Sequence, residues 1–89
     1  MRIEKSTRKN KKYMAKVGKK WIHFGDNRYG QYRDRIGLYS DLDHLDRNRR
    51  RLYYVRHSGV EKKGEAIHLE RMKSGQMWTP KILSHYYLW

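Results

Sequence analysis

The feature that most constrains this chain is its excess of positive charge. Lys and Arg number 22 against 9 Asp and Glu, which gives a formal net charge of +13 on 89 residues. Like charges on so small a body repel one another, so folding requires strong apolar burial or an external anion. Leu, Ile, Val and Phe together supply only 16 residues, a share that is typical of disordered chains when the net charge is high.

Aromatic side chains nevertheless favour a folded domain. Eight Tyr and three Trp provide large surfaces that replace the missing aliphatic area. The length fits one small domain with a thin core. The chain has no Cys, which excludes disulfides and thiolate metal sites. No apolar run is long enough for a membrane span, and none resembles a signal peptide.

Local signals predict a small single α+β domain that begins with a β-hairpin. Residues 1–12 contain six Lys or Arg and almost no apolar side chains, so we interpret them as a basic arm. The compact domain then spans residues 13–89. Residues 13–17 and 21–24 are rich in aromatic and β-branched side chains and flank a Gly-containing break, which predicts the hairpin. Residues 25–44 are predicted to be mostly loop.

A central, arginine-rich helix is predicted over residues 47–57. Asp43 or Asp46 can cap its start, and Gly59 can end it. Acidic side chains before the helix and basic ones near its end match the helix dipole.

Short helices are predicted to complete the C-terminal part. Residues 60–65 are polar and are interpreted as a loop, and residues 66–73 as a short helix that Gly75 ends. Thr79–Pro80 is typical of a helix start, with Thr as the N-cap and Pro at the first helical position.

The density of positive charge predicts that the protein binds polyanions. Nine of the first 20 residues and five of residues 47–56 are basic, and such density binds phosphate chains by releasing their counterions. Helical spacing places Tyr54 beside three Arg on an outward stripe, where it would add a stacking surface. The predicted polyanion-binding residues are Arg2, Lys5, Arg8, Lys9, Lys11, Lys12, Arg47, Arg50, Arg51 and Tyr54.

A second stripe of the same helix is predicted to face the core. It contains Leu45, Leu52 and Tyr53, with Arg49 and Arg56 beside it. Because charges near a core are usually paired, we expect these two Arg to be structural rather than to contact phosphate, and to be held against aromatic rings or bound to acids of the preceding loop. Structural roles, as caps, Arg partners or core anchors, are also predicted for Asp43, His44, Asp46 and Trp89.

Catalytic motifs are lacking. No His spacing is typical of a metalloprotease, no Ser or Cys has a triad setting, and no Gly-rich phosphate loop occurs. We therefore predict a non-enzymatic protein without cofactor, metal or small-molecule substrate. One alternative is a small metal-dependent nuclease that uses Asp41, Asp43 and His44, because alternating Asp and His can bind a cation or transfer protons.

Several residue groups resemble a known protein family. They are His23–Asp26, Tyr29, Gln31–Asp34, Leu38–Ser40, Leu42–His44, Asp46, Arg49–Arg50, Tyr53, Arg56–His57, Leu83–Ser84 and Tyr87–Trp89. These blocks resemble a family of small basic proteins of uncharacterised function that nucleocytoplasmic large DNA viruses, the giant viruses, encode. The resemblance covers about residues 12–89 except 60–78, whose role stays open. It carries over no functional site, but it implies a viral origin and a place in the virion, with host cytoplasm or nucleus during assembly.

Two non-enzymatic functions fit these observations. The leading prediction is a virion-associated protein that binds nucleic acid, DNA in the first place, through phosphate contacts and so condenses or packages it. The alternative is a minor capsid or cement protein whose cations bind acidic surfaces of larger shell proteins. The sequence leaves open the choice between DNA, RNA and acidic protein, and also the oligomeric state.

Overall fold

Three antiparallel strands form the N-terminal part of the protein in a computed structural model that describes residues 1–89. The strands are β1 (Arg2–Lys5), β2 (Lys11–Val17) and β3 (Lys20–Asp26), in the order β1-β2-β3. The predicted hairpin is confirmed as β2 and β3, which pair from Lys11↔Asp26 to Val17↔Lys20. Gly18 has a φ of 62° at the first position of the two-residue turn, where such turns require a positive φ.

Strand β1 corrects the interpretation of residues 1–12 as a basic arm. Ile3 pairs with Ala15 of β2, and Lys5 pairs with Tyr13. Ile3 packs against the core, so a single apolar side chain is enough to attach this short strand. The charge that suggested an arm is typical of edge strands, where Lys and Arg discourage pairing with other sheets.

Three helices follow, and their ends agree with the predicted caps. The helices are α1 (Arg47–Ser58), α2 (Lys63–Ser74) and α3 (Pro80–Tyr87). Asp46 and Thr79 cap α1 and α3 with side-chain hydrogen bonds, and Gly59 and Gly75 end α1 and α2 in the left-handed conformation. Helix α2 begins three residues earlier than predicted, inside the segment interpreted as a loop. None of the helices combines the length and apolarity needed to cross a bilayer.

The core combines aromatic and aliphatic side chains and lies between the sheet and α3. Tyr13, Ala15, Phe24, Leu83 and Leu88 are buried together. Ring contacts such as Tyr13–Phe24, with centroids 5.7 Å apart, supply the burial that few aliphatic residues could provide. The α+β fold predicted from the sequence is thus confirmed.

The long connection between β3 and α1 is mostly irregular, with one 3₁₀ turn at Ser40–Leu42. Asp34 organises it, because its buried carboxylate accepts hydrogen bonds from the backbone N–H groups of Ile36, Gly37 and Tyr39. The same carboxylate accepts a hydrogen bond from the buried Tyr13 hydroxyl. Burial alone would raise the pKa of Asp34, but these donors outweigh it and lower that pKa. The Asp34 carboxylate therefore both orders the loop and is one of the groups that fix it to the sheet.

Candidate nucleic-acid interface

The buried side of helix α1 is rotated from the one predicted, although Tyr53 stays half-buried and Arg47 and Arg51 stay exposed as expected. Tyr54, expected to point outward, is 1% exposed, and its hydroxyl donates to the backbone oxygen of His85 at 3.1 Å. Leu52, expected in the core, is 43% exposed. The reason is that α3 offers hydrogen-bond partners that satisfy Tyr54 and Ser58 when they are buried. Tyr54 is therefore unavailable as a stacking surface for a ligand, and burial raises its pKa to about 12.

The same rotation corrects the structural role predicted for Arg49 and Arg56. Both side chains are exposed, and neither forms an ion pair. Asp46 instead caps α1, and Asp43 accepts a hydrogen bond from the Gln31 amide. These two Arg are free to meet a ligand.

His44 and Trp89 lie together beside α1. The Nδ1 atom of His44 accepts a hydrogen bond from the Asp46 backbone N–H at 3.0 Å, and the His44 ring lies 5.3 Å from that of Trp89. Trp89 stacks on Tyr53 with ring centroids 4.1 Å apart and an interplanar angle of 3°. Trp89 thereby connects the end of the chain to α1.

The predicted nuclease residues do not form a metal centre. No group of three or more His, Asp or Glu side chains is placed to hold a metal ion. Asp41 is exposed, whereas Asp43 and His44 are engaged in the hydrogen bonds described above.

The basic residues of the N-terminal segment are divided among different environments. Lys12 is buried, its Nζ donates to the backbone oxygen of Tyr29 at 3.0 Å, and burial lowers its pKa. Arg2 pairs with Glu4, and Lys5 lies over the Tyr39 ring. The cations that are exposed and contact neither a carboxylate nor an aromatic ring are Arg8, Lys9 and Lys11.

A cationic depression, which we call the arginine cleft, lies between the starts of α1 and α2. Its volume is about 410 Å³, and it is lined by Tyr32, Arg47, Arg50, Arg51, Glu61, Lys62 and Lys63. The structure thus brings together the three predicted Arg of α1 and adds two Lys that sequence analysis did not assign. The adjacent pair Lys62–Lys63 at a helix start was the signal that could have identified them.

Two cations of the arginine cleft are held in position by the protein. The Nε atom of Arg50 donates to the backbone oxygen of Trp89 at 2.8 Å, and its guanidinium lies 4.8 Å from the centre of the Tyr32 ring. The Nζ atom of Lys63 donates to the backbone oxygen of Tyr86 at 2.8 Å. Burial, together with the charges of Arg35 and Arg50, lowers the pKa of Lys63 to about 8.

Acidic side chains offset little of the positive electrostatic potential of the arginine cleft. Glu61 is the one acid that lines the arginine cleft, and its exposed carboxylate lies 3.5 Å from the Arg51 guanidinium. Exposed pairs of this kind contribute little. The cationic side chains that line the arginine cleft therefore repel one another, and the cleft is suited to bind phosphate groups.

A larger depression, which we call the aromatic cleft, lies on the other side of α1. Its volume is about 790 Å³. Leu52, Tyr53 and Trp89 contribute apolar surface to it. Five Lys and Arg residues line it, which are the buried Lys12 and the exposed Lys11, Arg49, Arg56 and Lys81. Helix α1 is thus a ridge with basic side chains facing a cleft on each side.

Comparison with known protein families finds a match to a family of uncharacterised function. Residues 1–35 match a family described as a family of unknown function, DUF5754. The match covers the three strands and the start of the long connection, including the first residues that the giant-virus resemblance leaves out. Neither the curated proteins nor the solved structures compared with this chain include one that matches it.

Proposed function

We propose that this protein binds nucleic acid through phosphate contacts, without catalysing a reaction, and that the arginine cleft is its phosphate-binding site. The observation that carries the proposal is the composition of that cleft, five cationic side chains against one exposed carboxylate. Guanidinium groups bind phosphate oxygens in pairs, and a bound phosphate would relieve the repulsion between Lys63 and its Arg neighbours.

The distribution of charge over the whole protein supports the same proposal. Of 22 Lys and Arg side chains, only four take part in ion pairs with carboxylates. The remaining cations attract the phosphate backbone without reading bases. We therefore expect binding with little sequence preference and with DNA as the first candidate.

The resemblance to giant-virus proteins suggests where this binding would matter. A basic protein of a DNA virus that neutralises phosphates would help to condense the genome inside the particle. We extend the proposal to this packaging role. If the protein instead follows the shell when purified particles are stripped of their genome, the cement-protein alternative replaces the packaging role.

The first test is the dependence of DNA affinity on salt. We expect a log–log plot of the association constant against salt concentration to have a slope of about −5, because about six phosphate contacts release their counterions. The double variant Arg47→Ala/Lys62→Ala should make the slope shallower by about 2, since each lost phosphate contact reduces it by about 1. Fluorescence anisotropy titrations at several salt concentrations measure both values.

A matched control variant separates the contribution of the arginine cleft to the salt dependence from that of the net charge. Lys19→Ala/Lys20→Ala removes the same charge at the turn of the β2–β3 hairpin, outside both clefts, and should leave the slope nearly unchanged. A wild-type slope near −1, or equal effects of the two double variants, would contradict the assignment of the arginine cleft.

Lys63 provides a second, local test. A bound phosphate favours the charged form of the amine, so saturating DNA should raise the pKa of Lys63 from about 8 towards its ordinary value of 10.5. NMR titration of the lysine side chains with and without DNA measures the change. An unchanged pKa in the saturated complex would place the phosphate elsewhere.

A further inference from the structure

We propose that the aromatic cleft receives unpaired nucleobases, so that the protein prefers single-stranded nucleic acid to duplex. This inference rests on the proposed function, and it assigns to the nucleic acid a second contact surface beside the arginine cleft. Three features of the cleft support it: an ordered aromatic surface, a cationic rim and the exposed Leu52 of the Arg-rich helix α1.

The aromatic surface is held in place from two directions. Tyr53 and Trp89 are parallel and in contact, and the Tyr53 hydroxyl is 2.8 Å from Nδ1 of the buried His85. The Trp89 backbone is bound at both polar atoms, because its N–H donates to Ser84 and its oxygen accepts from Arg50. A surface that is already ordered loses little entropy when a flat ring stacks on it.

The rim supplies charges for the flanking phosphates. Arg49 and Arg56 are exposed without a carboxylate partner and lie two helical turns apart, a separation of roughly 10 Å along α1. The carboxylate that lines the cleft is that of Asp26, and Arg28 already binds it at 2.7 Å. Hydrogen bonds from the Arg28 side chain are the main cause that lowers the pKa of Asp26 to about 2. The cleft therefore presents uncompensated cations around an apolar surface.

This combination distinguishes a single strand from other polyanions. Base faces in a duplex are covered by neighbouring pairs, whereas an unpaired strand offers a base to an aromatic or aliphatic surface while its phosphates stay at the cationic rim. Leu52 lines the cleft and is 43% exposed, so it offers an apolar side chain that a bound base would cover. The carboxylates of an acidic protein segment would pair with the cations of the rim, but they would place no flat ring on the Tyr53–Trp89 pair.

The test compares strands that share phosphates but differ in bases. Fluorescence anisotropy at one salt concentration measures binding of the full chain to oligothymidylate, to an abasic oligonucleotide of equal length and to a duplex. We expect oligothymidylate to bind about tenfold more tightly than the abasic strand, because stacking contributes by that order per base. It should also bind more tightly than the duplex.

A variant pair on α1 locates the effect. Trp89→Ala would disturb the fold, so we choose Leu52→Glu, which places a hydrated carboxylate on the apolar surface and should bring the oligothymidylate-to-abasic ratio close to one. Val55→Glu is the matched control, because Val55 is 41% exposed on the same helix and lines neither cleft. It should weaken binding to both strands while keeping their ratio.

Each outcome bears on the inference separately from the proposed function. Equal affinity of the wild-type protein for the thymidylate and abasic strands, or tighter binding to duplex, overturns the inference and leaves phosphate binding intact. Equal ratios in the Leu52→Glu and Val55→Glu variants overturn the assignment to this cleft. Absence of binding to all three ligands overturns both the inference and the proposed function.

Discussion

Asp34→Ala should remove a large part of the stability of the domain, with a loss of about 3–5 kcal/mol in the free energy of unfolding. The carboxylate accepts three backbone N–H groups of the loop and the Tyr13 hydroxyl, and Tyr13 is fully buried. Removing the acceptor leaves these donors without partners, and hydrogen bonds to a charged group contribute about 1.5–3 kcal/mol each. Small domains are stable by only about 5–15 kcal/mol, so urea denaturation followed by circular dichroism should show a large decrease in the midpoint.

Asp41→Ala is the matched control for this prediction. Asp41 lies on the same connection, is exposed and changes the net charge equally, so its removal should change stability by less than about 0.5 kcal/mol. Similar stabilities for the Asp34 and Asp41 variants would refute the view that one carboxylate organises the loop.

Acidification should destabilise the protein through His85, the centre of a buried hydrogen-bond network. Ser58 donates to Glu70 at 3.0 Å and lies 2.8 Å from Nε2 of His85. Because the single Ser58 hydroxyl proton is donated to Glu70, a neutral His85 must donate from Nε2 to Ser58 and accept at Nδ1 from the Tyr53 hydroxyl. The network is complete only when the imidazole is neutral.

The sign of the effect follows from the pKa of His85. Burial is the main cause that lowers this pKa from 6.5 to about 4; the nearby charges of His57, Lys81 and Lys63 act in the same direction, while Glu70 opposes them. Between these values the unfolded chain binds a proton that the native protein does not. The stabilisation is therefore complete above pH 6.5 and decreases as the pH falls towards 4. From about pH 7 to about pH 5 the loss from His85 should be about 2 kcal/mol, since one pKa unit corresponds to about 1.4 kcal/mol.

Chemical denaturation at a series of pH values measures this loss. His85→Gln removes the titrating group and should give a shallower pH dependence, on a lower overall stability. His68→Gln alters an exposed His of α2 and should keep the wild-type dependence. Unchanged wild-type stability at pH 7 and pH 5 would show that the buried imidazole accepts a proton without cost.

The candidate site could be predicted from sequence only in part. Arg47, Arg50 and Arg51 were assigned to polyanion binding and line the arginine cleft, because a run of Arg on one helix stays together in any fold. Tyr54 and Lys12 were placed in the same set and are buried. Arg49 and Arg56 were expected in structural pairs and are exposed. Each of these differences depends on which elements pack against α1 and β2. The spacing of residues along the chain does not reveal that packing.

The sequence by itself determined the elements whose signals are local. Asp46 and Gly59 limit α1, Thr79–Pro80 begins α3, and the Gly18 turn joins β2 to β3, because caps and turns depend on neighbouring residues only. Only the tertiary structure decided which face of α1 is buried. That helix has too few aliphatic residues to define an apolar stripe, so the hydrogen bonds that His85 offers to Tyr54 and Ser58 set its rotation. This rotation exposes Leu52, Arg49 and Arg56 in the aromatic cleft and thereby creates the second cationic surface.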